Sequence, residues 1–133
     1  MRNEPLVSVY MPTHNRSELL ARAIKSVITQ SYSNIELIIC DDGSTDNTYD
    51  VVNNFIEQGY KIIYLRNASP RGACFSRNRC IEASTGQFIT GLDDDDFFTN
   101  NRISDFVCYL IKYDYEFMCT TYLIKNNEQL KKS

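Results

Sequence analysis

Short apolar runs of strand length alternate along this chain with stretches whose apolar residues recur every three or four positions. Residues 6–11 read as a first strand, halted by Pro12. From Leu19 onward, Leu20, Ala23, Ile24, Val27 and Ile28 fall on one helical face, and Asn15 with Glu18 three residues later forms a capping-box variant. Residues 35–40 are continuous and β-branched, as suits a strand covered on both faces. A helix capped by Ser44 would bury Val51, Val52, Phe55 and Ile56 and end at Gly59, where a left-handed turn favours glycine. Residues 61–65 form the third predicted strand. Ala73, Cys80, Ile81 and Ser84 share a face of the next helix, closed by Gly86. Residues 88–92 predict a fourth strand, and Ile103, Phe106, Val107, Leu110 and Ile111 a further helix. Residues 115–123 read as a fifth strand and residues 125–133 as a frayed polar tail, leaving 1–124 as the ordered core of one domain.

Strands and helices that alternate with short connections predict right-handed βαβ units, a mostly parallel sheet and three α/β/α layers. In open sheets of this kind ligands bind beyond the C-terminal strand ends, where the strand order reverses. Three polar clusters fall at such ends: residues 13–16, residues 41–44 and the four consecutive aspartates Asp93, Asp94, Asp95 and Asp96. Adjacent carboxylates repel one another, and crowding raises their pKa values unless a cation shares the charge. Behind a buried strand, with Phe97 and Phe98 to pin the loop, they form a place for Mg²⁺ or Mn²⁺, hard ions that take oxygen ligands and leave positions for phosphates. Asp41 and Asp42 could accept hydrogen bonds from a ribose or a base, although Asp-Asp-Gly-Ser is equally a turn and capping sequence. Arg66, Arg71, Arg77 and Arg79 lie in the third connection or its helix. Guanidinium groups near a helix N-terminus suit a diphosphate, and Arg71 and Arg77 are the preferred candidates, against the alternative of a solvated basic face. His14 reads as a loop or packing residue rather than a metal ligand.

Composition narrows the classes. A net charge of −3 over 133 residues argues against nucleic-acid binding by bulk electrostatics. No apolar stretch approaches the roughly 20 residues of a membrane span, and the first residues lack the apolar region of a signal peptide. Cys40, Cys74, Cys80, Cys108 and Cys119 are odd in number and form no Cys-x-x-Cys pair, which suits small buried hydrophobes in a reducing, cytoplasmic compartment.

Residues 7–16, residues 31–46, Gly72, Ser76-Arg77-Asn78, Gly86 and the aspartate run strongly resemble family 2 glycosyltransferases of the GT-A fold, in that family's order and spacing from about Leu6 to Arg102. The resemblance implies a Rossmann-like nucleotide-sugar site. Pro12, Thr13 and Asn15, with Arg16 beside them, would line the nucleoside pocket, and Asp42 would read the base. Asp93 or Asp94 would approach the ribose, and Asp95 would hold the metal on the diphosphate, although four aspartates in a row permit two registers. It further implies a single inverting displacement from a nucleotide-sugar donor, with UDP foremost, onto a saccharide or lipid-linked saccharide acceptor. The implied setting is cell-surface polysaccharide synthesis at the inner face of the membrane, with peripheral membrane association.

Family members normally continue further and present an Asp or Glu as general base. Beyond Arg102 the carboxylates here are Asp105, Asp114, Glu116 and Glu128, and none lies in a recognisable motif. The expectation is a C-terminally truncated GT-A domain, donor half intact, whose exposed sheet edge and apolar surface invite self-association. The alternatives are a non-catalytic nucleotide-sugar-binding module or a phosphoacceptor signalling domain. The latter fits poorly, since the third strand ends in Arg66 and Asn67 rather than in aspartate. A dinucleotide dehydrogenase would need a Gly-x-Gly-x-x-Gly after the first strand, which is missing.

Overall fold

The computed structural model describes residues 4–120 and, further on, the backbone of residues 123–125 and 130–132. Its order is β1 (Val7–Thr13), α1 (Ser17–Ile28), β2 (Ile35–Asp41), α2 (Thr48–Glu57), β3 (Ile62–Arg66), α3 (Ala73–Ala83), β4 (Phe88–Gly91), α4 (Arg102–Tyr113), β5 (Leu123–Lys125) and β6 (Leu130–Lys132). The first four strands make one parallel sheet in the order β3-β2-β1-β4. After β3 the chain crosses back to the far side of β1, so the order reverses between β1 and β4.

The period of two along each strand sorts the core into layers. Val7, Val9 and Met11 of β1 and Leu37 and Ile39 of β2 join Leu20, Ala23, Ile24 and Val27 of α1, Val52 and Phe55 of α2, and Ile103 and Val107 of α4 in one cluster. The alternate residues Tyr10, Ile38, Ile63 and Leu65, with Cys40, face Cys80 and Ala83 of α3. Three helices thus cover one face and α3 the other. Of the expected α3 face, Cys80 is buried, but Ala73 and Ile81 are exposed; Ser76 takes the second buried position because one turn separates it from Cys80. On α4, Ile111 is likewise exposed. Cys40 and Cys80 are buried, as expected of small apolar side chains, whereas Cys74, Cys108 and Cys119 are exposed; all five are free.

Several boundaries differ from the sequence pattern for identifiable reasons. Pro12 does not halt β1, which runs on to Thr13 with Pro12 opposite Cys40 of β2. Its parity explains this. Leu6 and Tyr10 direct their carbonyls toward the β4 side, where Tyr10 C=O accepts the Leu92 N–H, while Thr13 C=O accepts from Asp42 on the β2 side. Pro12 shares the parity of Tyr10, so the N–H it lacks would have extended the ladder to β4, not to β2. Pairing therefore ends on that side alone, and the chain after Leu92 is free to leave the sheet. Asn15 does not cap α1: it adopts a φ of 49°, and its Oδ1 accepts the Thr45 N–H at 2.8 Å. Arg16 is the N-cap, and the Ser17 N–H finds Asp46 at 3.3 Å. Nor does Ser44 cap α2, because its hydroxyl accepts the Asn15 N–H at 2.9 Å, and Asp46 accepts the Thr48 N–H at 3.1 Å instead. Among residues 115–120 no strand forms; β5 begins at Leu123 and pairs antiparallel with β6, so part of the expected polar tail is a strand. Residues 121–122, 126–129 and 133, which complete those two expectations, lie outside the described residues. Among the described residues no helix is long and apolar enough to cross a membrane.

At the opposite end of the sheet a buried carboxylate ties three segments together. Glu36 Oε1 accepts the Ser8 hydroxyl at 2.6 Å and the Thr85 N–H at 2.7 Å, and Ser8 Oγ accepts the Gly86 N–H at 2.8 Å. A side chain at Gly86 would bring its Cβ within 2.7 Å of the Ser8 backbone nitrogen, so glycine is required for the turn to reach β1. Burial, the largest influence, pushes the Glu36 carboxyl up, but its donors and Lys61 together hold it below the ordinary 4.5. A depressed carboxyl stabilises the fold above its unfolded-state pKa, and the contribution fades as pH falls through the lower folded-state value. Glu36→Gln is expected to cost about 1–3 kcal/mol at neutral pH and to flatten the loss of stability below about pH 4. Urea titrations of wild type and variant at neutral and acid pH measure both effects, and parallel acid limbs would contradict the assignment.

Candidate functional site

The reversal between β1 and β4 opens a cleft of about 290 Å³ lined by residues from all three polar clusters: Pro12, Thr13, His14 and Arg16; Asp42; and Asp93, Asp94 and Asp95. Ala73, Ser76 and Arg77 at the start of α3 complete its wall. Asp42 and Asp95, from the tips of separate strands, thus share one crevice.

On one wall Asp42 is held by three donors. Its Oδ1 accepts the Arg71 N–H at 2.7 Å and the Asn67 amide at 2.8 Å, and its Oδ2 accepts the Gly72 N–H at 2.8 Å. Burial, the largest single influence, raises its pKa, yet these hydrogen bonds and His14 outweigh it and hold the carboxyl below its ordinary value. The preceding carboxylate, Asp41, is fully buried and binds elsewhere: Arg66 Nη1 at 3.0 Å, the Ser44 N–H at 2.8 Å and the Tyr64 hydroxyl. That phenol is pushed up to about 12 by burial and by Asp41. The two adjacent aspartates therefore divide the work, Asp41 anchoring the loop to β3 and Asp42 facing the cleft. Gly43 makes the turn possible. It has a φ of 71°, and a Cβ there would sit 3.0 Å from the Pro70 ring.

On the other wall the four aspartates separate. Asp94 turns inward, accepting the Thr13 hydroxyl at 2.8 Å and Arg16 Nη1 at 3.1 Å. Asp93, Asp95 and Asp96 stay exposed and can each bring a carboxylate oxygen within 4.8 Å of the others. Asp96 is pushed above its ordinary value by burial first and by the neighbouring charges of Asp95 and Asp93. Three carboxylate oxygens this close to one another fit a hard divalent cation. Arg16 Nη1 also lies 3.2 Å from Asp95, and Arg77 Nη2 lies 3.4 Å from Asp93. The loop is pinned by buried Phe98, whose N–H reaches Ser26, while half-exposed Phe97 packs under the Arg22 guanidinium.

Two expected site residues do not line the cleft. Asn15 spends its amide on Thr45 and His14, interlocking the first two loops. The Arg71 guanidinium stacks 4.0 Å from the Phe75 ring, so only its backbone N–H serves the site. Arg79 caps the Arg66 carbonyl and Asn67, which leaves Arg77 as the single arginine of the third connection on the cleft wall. Asn67, which no sequence signal marks, and Ser76, quoted for the resemblance but given no role in the site, hydrogen-bond one another at 2.9 Å beneath Asp42. His14, read as a loop or packing residue, sits in the loop after β1 and lines the cleft while its Nδ1 contacts the Asp42 carbonyl oxygen at 2.8 Å.

A parallel sheet in this order, layered between helices and carrying an aspartate loop after its fourth strand, is the architecture of a GT-A-type α/β domain. Solved structures agree in fold: S. aureus TarS in complex with UDP-GlcNAc superposes with a TM-score of 0.80 at 20% identity, covering 93% of this chain and 36% of that one. The mannosyltransferase PcManGT from Pyrobaculum calidifontis, in complex with GDP-Man and Mn²⁺, gives 0.75 at 23% identity over 82% of this chain and 33% of that one. The chain belongs to glycosyl transferase family 2, whose sequence pattern matches residues 8–133. A protein of Escherichia coli K12, provisionally named as a colanic acid biosynthesis glycosyl transferase, is 46% identical over 82% of this chain and 39% of its own length. The E. coli enzyme WfgD, a UDP-Glc:α-D-GlcNAc-diphosphoundecaprenol β-1,3-glucosyltransferase, is 36% identical over 94% of this chain and 49% of its own. The chain thus spans less than half the length of these relatives.

Asp42→Ala leaves the Arg71 and Gly72 N–H groups and the Asn67 amide without their acceptor. It is expected to destabilise the fold by about 1–3 kcal/mol and to loosen residues 69–72 first. Amide exchange should accelerate at Arg71 and Gly72 before it changes in β1 or β2; uniform acceleration would argue that Asp42 has no local role there.

Proposed function

We propose that this chain carries the donor half of a metal-dependent, inverting glycosyltransferase that takes its sugar from a nucleoside diphosphate sugar, UDP-sugar foremost. The observation that supports this most directly is the convergence of Asp42 and the aspartate loop on one crevice at the reversal point of the sheet. Asp42, fixed and ionised, is suited to accept a base N–H, and Pro12, Thr13 and His14 wall the space beside it for the nucleoside. Asp93 or Asp94 would approach the ribose, while Asp95, with Asp93 and Asp96 close beside it, would hold Mn²⁺ or Mg²⁺. Such an ion supplies Lewis-acid neutralisation of the charge growing on the departing diphosphate, worth several kcal/mol. Arg16 and Arg77 stand beside it as further positive charge for the same oxygens. An acceptor hydroxyl would attack the anomeric carbon in a single displacement as the nucleoside diphosphate leaves, inverting that centre.

The names of the relatives support a saccharide acceptor, lipid-linked in several of them, in polysaccharide synthesis; a place at the cytoplasmic side of a membrane, in making surface polysaccharide, is part of the same proposal. A second reading, a binding module without transfer, is favoured by one observation: beyond Arg102 none of the described carboxylates Asp105, Asp114 and Glu116 lines the cleft. Turnover separates the two, since release of UDP from UDP-glucose, with or without an acceptor, requires the enzyme.

UDP with Mn²⁺ should raise the thermal midpoint by several degrees, with little effect from either alone. For a site near 100-fold saturation the stabilisation is about 2.7 kcal/mol. Asp95→Ala should abolish most of that shift in a thermal-shift assay. Equal stabilisation of wild type and variant would remove the metal from the proposal.

A further inference from the structure

If Asp93, Asp95 and Asp96 take a divalent ion, something must hold these like charges in one loop before the ion arrives. Arg16 is placed to do so. A single nitrogen, Nη1, bridges Asp94 at 3.1 Å and Asp95 at 3.2 Å. The two partners are unequal. Asp94 is 5% exposed and held from behind by Thr13, whereas the Asp95 side chain is 49% exposed and, among the described residues, hydrogen-bonds to Arg16 alone; Arg22 holds only the Asp95 backbone carbonyl, at 2.6 Å. The Arg16 side chain is itself 51% exposed and faces the cleft. Asp94 is therefore the fixed post, and the contact with Asp95 is the one that can open without disturbing the core. Arg77 repeats the arrangement more loosely with Asp93, at 3.4 Å, while among the described residues Asp96 has no ion pair.

We propose that Arg16 is an internal counter-cation that competes with the divalent ion for Asp95, and that the diphosphate of the incoming nucleotide releases it. Metal and nucleotide binding are thereby coupled in this chain. Charge compensation in a small space sets the competition. A guanidinium on Asp95 both occupies a ligand oxygen and repels a dication a few ångströms away. A diphosphate entering the cleft offers Arg16 stronger acceptors than an exposed carboxylate, while its hold on Asp94 is kept. Once Asp95 is released, the cation and the nucleotide each improve the other's affinity by the same factor, as reciprocal linkage requires. The inference rests on the donor-site reading above.

The test is Mn²⁺ titration of the full chain, followed by electron paramagnetic resonance of the free ion, for wild type, Arg16→Gln and Arg16→Lys, each with and without saturating UDP. Without nucleotide, Arg16→Gln should bind Mn²⁺ on the order of tenfold more tightly than wild type, the scale of removing one positive charge beside a dication in a solvated site. Arg16→Lys, which keeps the charge, should stay close to wild type. UDP should tighten Mn²⁺ binding in wild type by a clearly larger factor than in Arg16→Gln. Equal affinity of wild type and Arg16→Gln without UDP, or equal enhancement by UDP, overturns the proposal. A lack of Mn²⁺ binding by all three proteins in every condition overturns the donor-site reading beneath it instead. The wild type also provides a check that needs no variant: the Arg16 Nε–H resonance should shift when Mg²⁺ and UDP are added together. No shift, in a sample whose Asp93–Asp96 backbone signals do move, would show that Arg16 keeps its place and would overturn the proposal.

Discussion

Four carboxylates in sequence repel one another, and the site depends on how their charges are parted and paired. Asp94 is drawn inward onto the Thr13 hydroxyl and the Arg16 guanidinium, while its neighbours face solvent. This one inward turn joins the end of β1 to the loop after β4, the two strands between which the order of the sheet reverses. The crevice is thus clamped by a hydrogen bond and an ion pair across its mouth. At Asp96 burial first, and then the neighbouring charges of Asp95 and Asp93, raise the proton affinity.

The opposite wall follows a complementary logic. Asp42 accepts backbone N–H groups from the turn that leads into α3, so the carboxylate facing the cleft is also what fixes that turn. Asp41 performs the equivalent task toward β3 through Arg66 and Tyr64. The loops after β1 and β2 then lock to one another: Asn15 accepts the Thr45 N–H and gives its own N–H to the Ser44 hydroxyl, and Asp46 accepts the Ser17 N–H that α1 leaves open. Pro12 contributes by what it lacks. With no N–H on the β4 side of β1, it ends the pairing there and lets residues 93–96 rise away from the sheet.

The alternation of elements was legible because both periods are strong: helix faces recur at three and four, and the central strands are nearly all apolar. The polar clusters at the strand ends were legible as well, and all three contribute to one cleft. The misreadings are local and share a cause. Asn15 and Ser44 are good capping residues by type, yet each is engaged by the neighbouring loop, and Asp46 accepts the helix N–H groups in their place. Arg71 looked like a phosphate ligand because arginine near a helix start suits one, but Phe75, four residues on, offers its guanidinium a ring face. Asn67 carried no signal at all, since its partners Asp42 and Ser76 stand far from it in the chain and only the fold brings them together.

Taken alone, the sequence determined the α/β class, the position of each acidic cluster at a strand tip, and the likeness to family 2 glycosyltransferases that the family match bears out. The first two follow from periodicity and from residue type, which are local properties; the likeness rests on quoted motifs in that family's order and spacing. Only the tertiary structure decided which of the four aspartates turns inward, which arginine faces the crevice, and which side of β1 the missing Pro12 N–H weakens. Those outcomes depend on contacts between segments tens of residues apart, where burial and competition for a shared donor choose among side chains that look equivalent in the sequence.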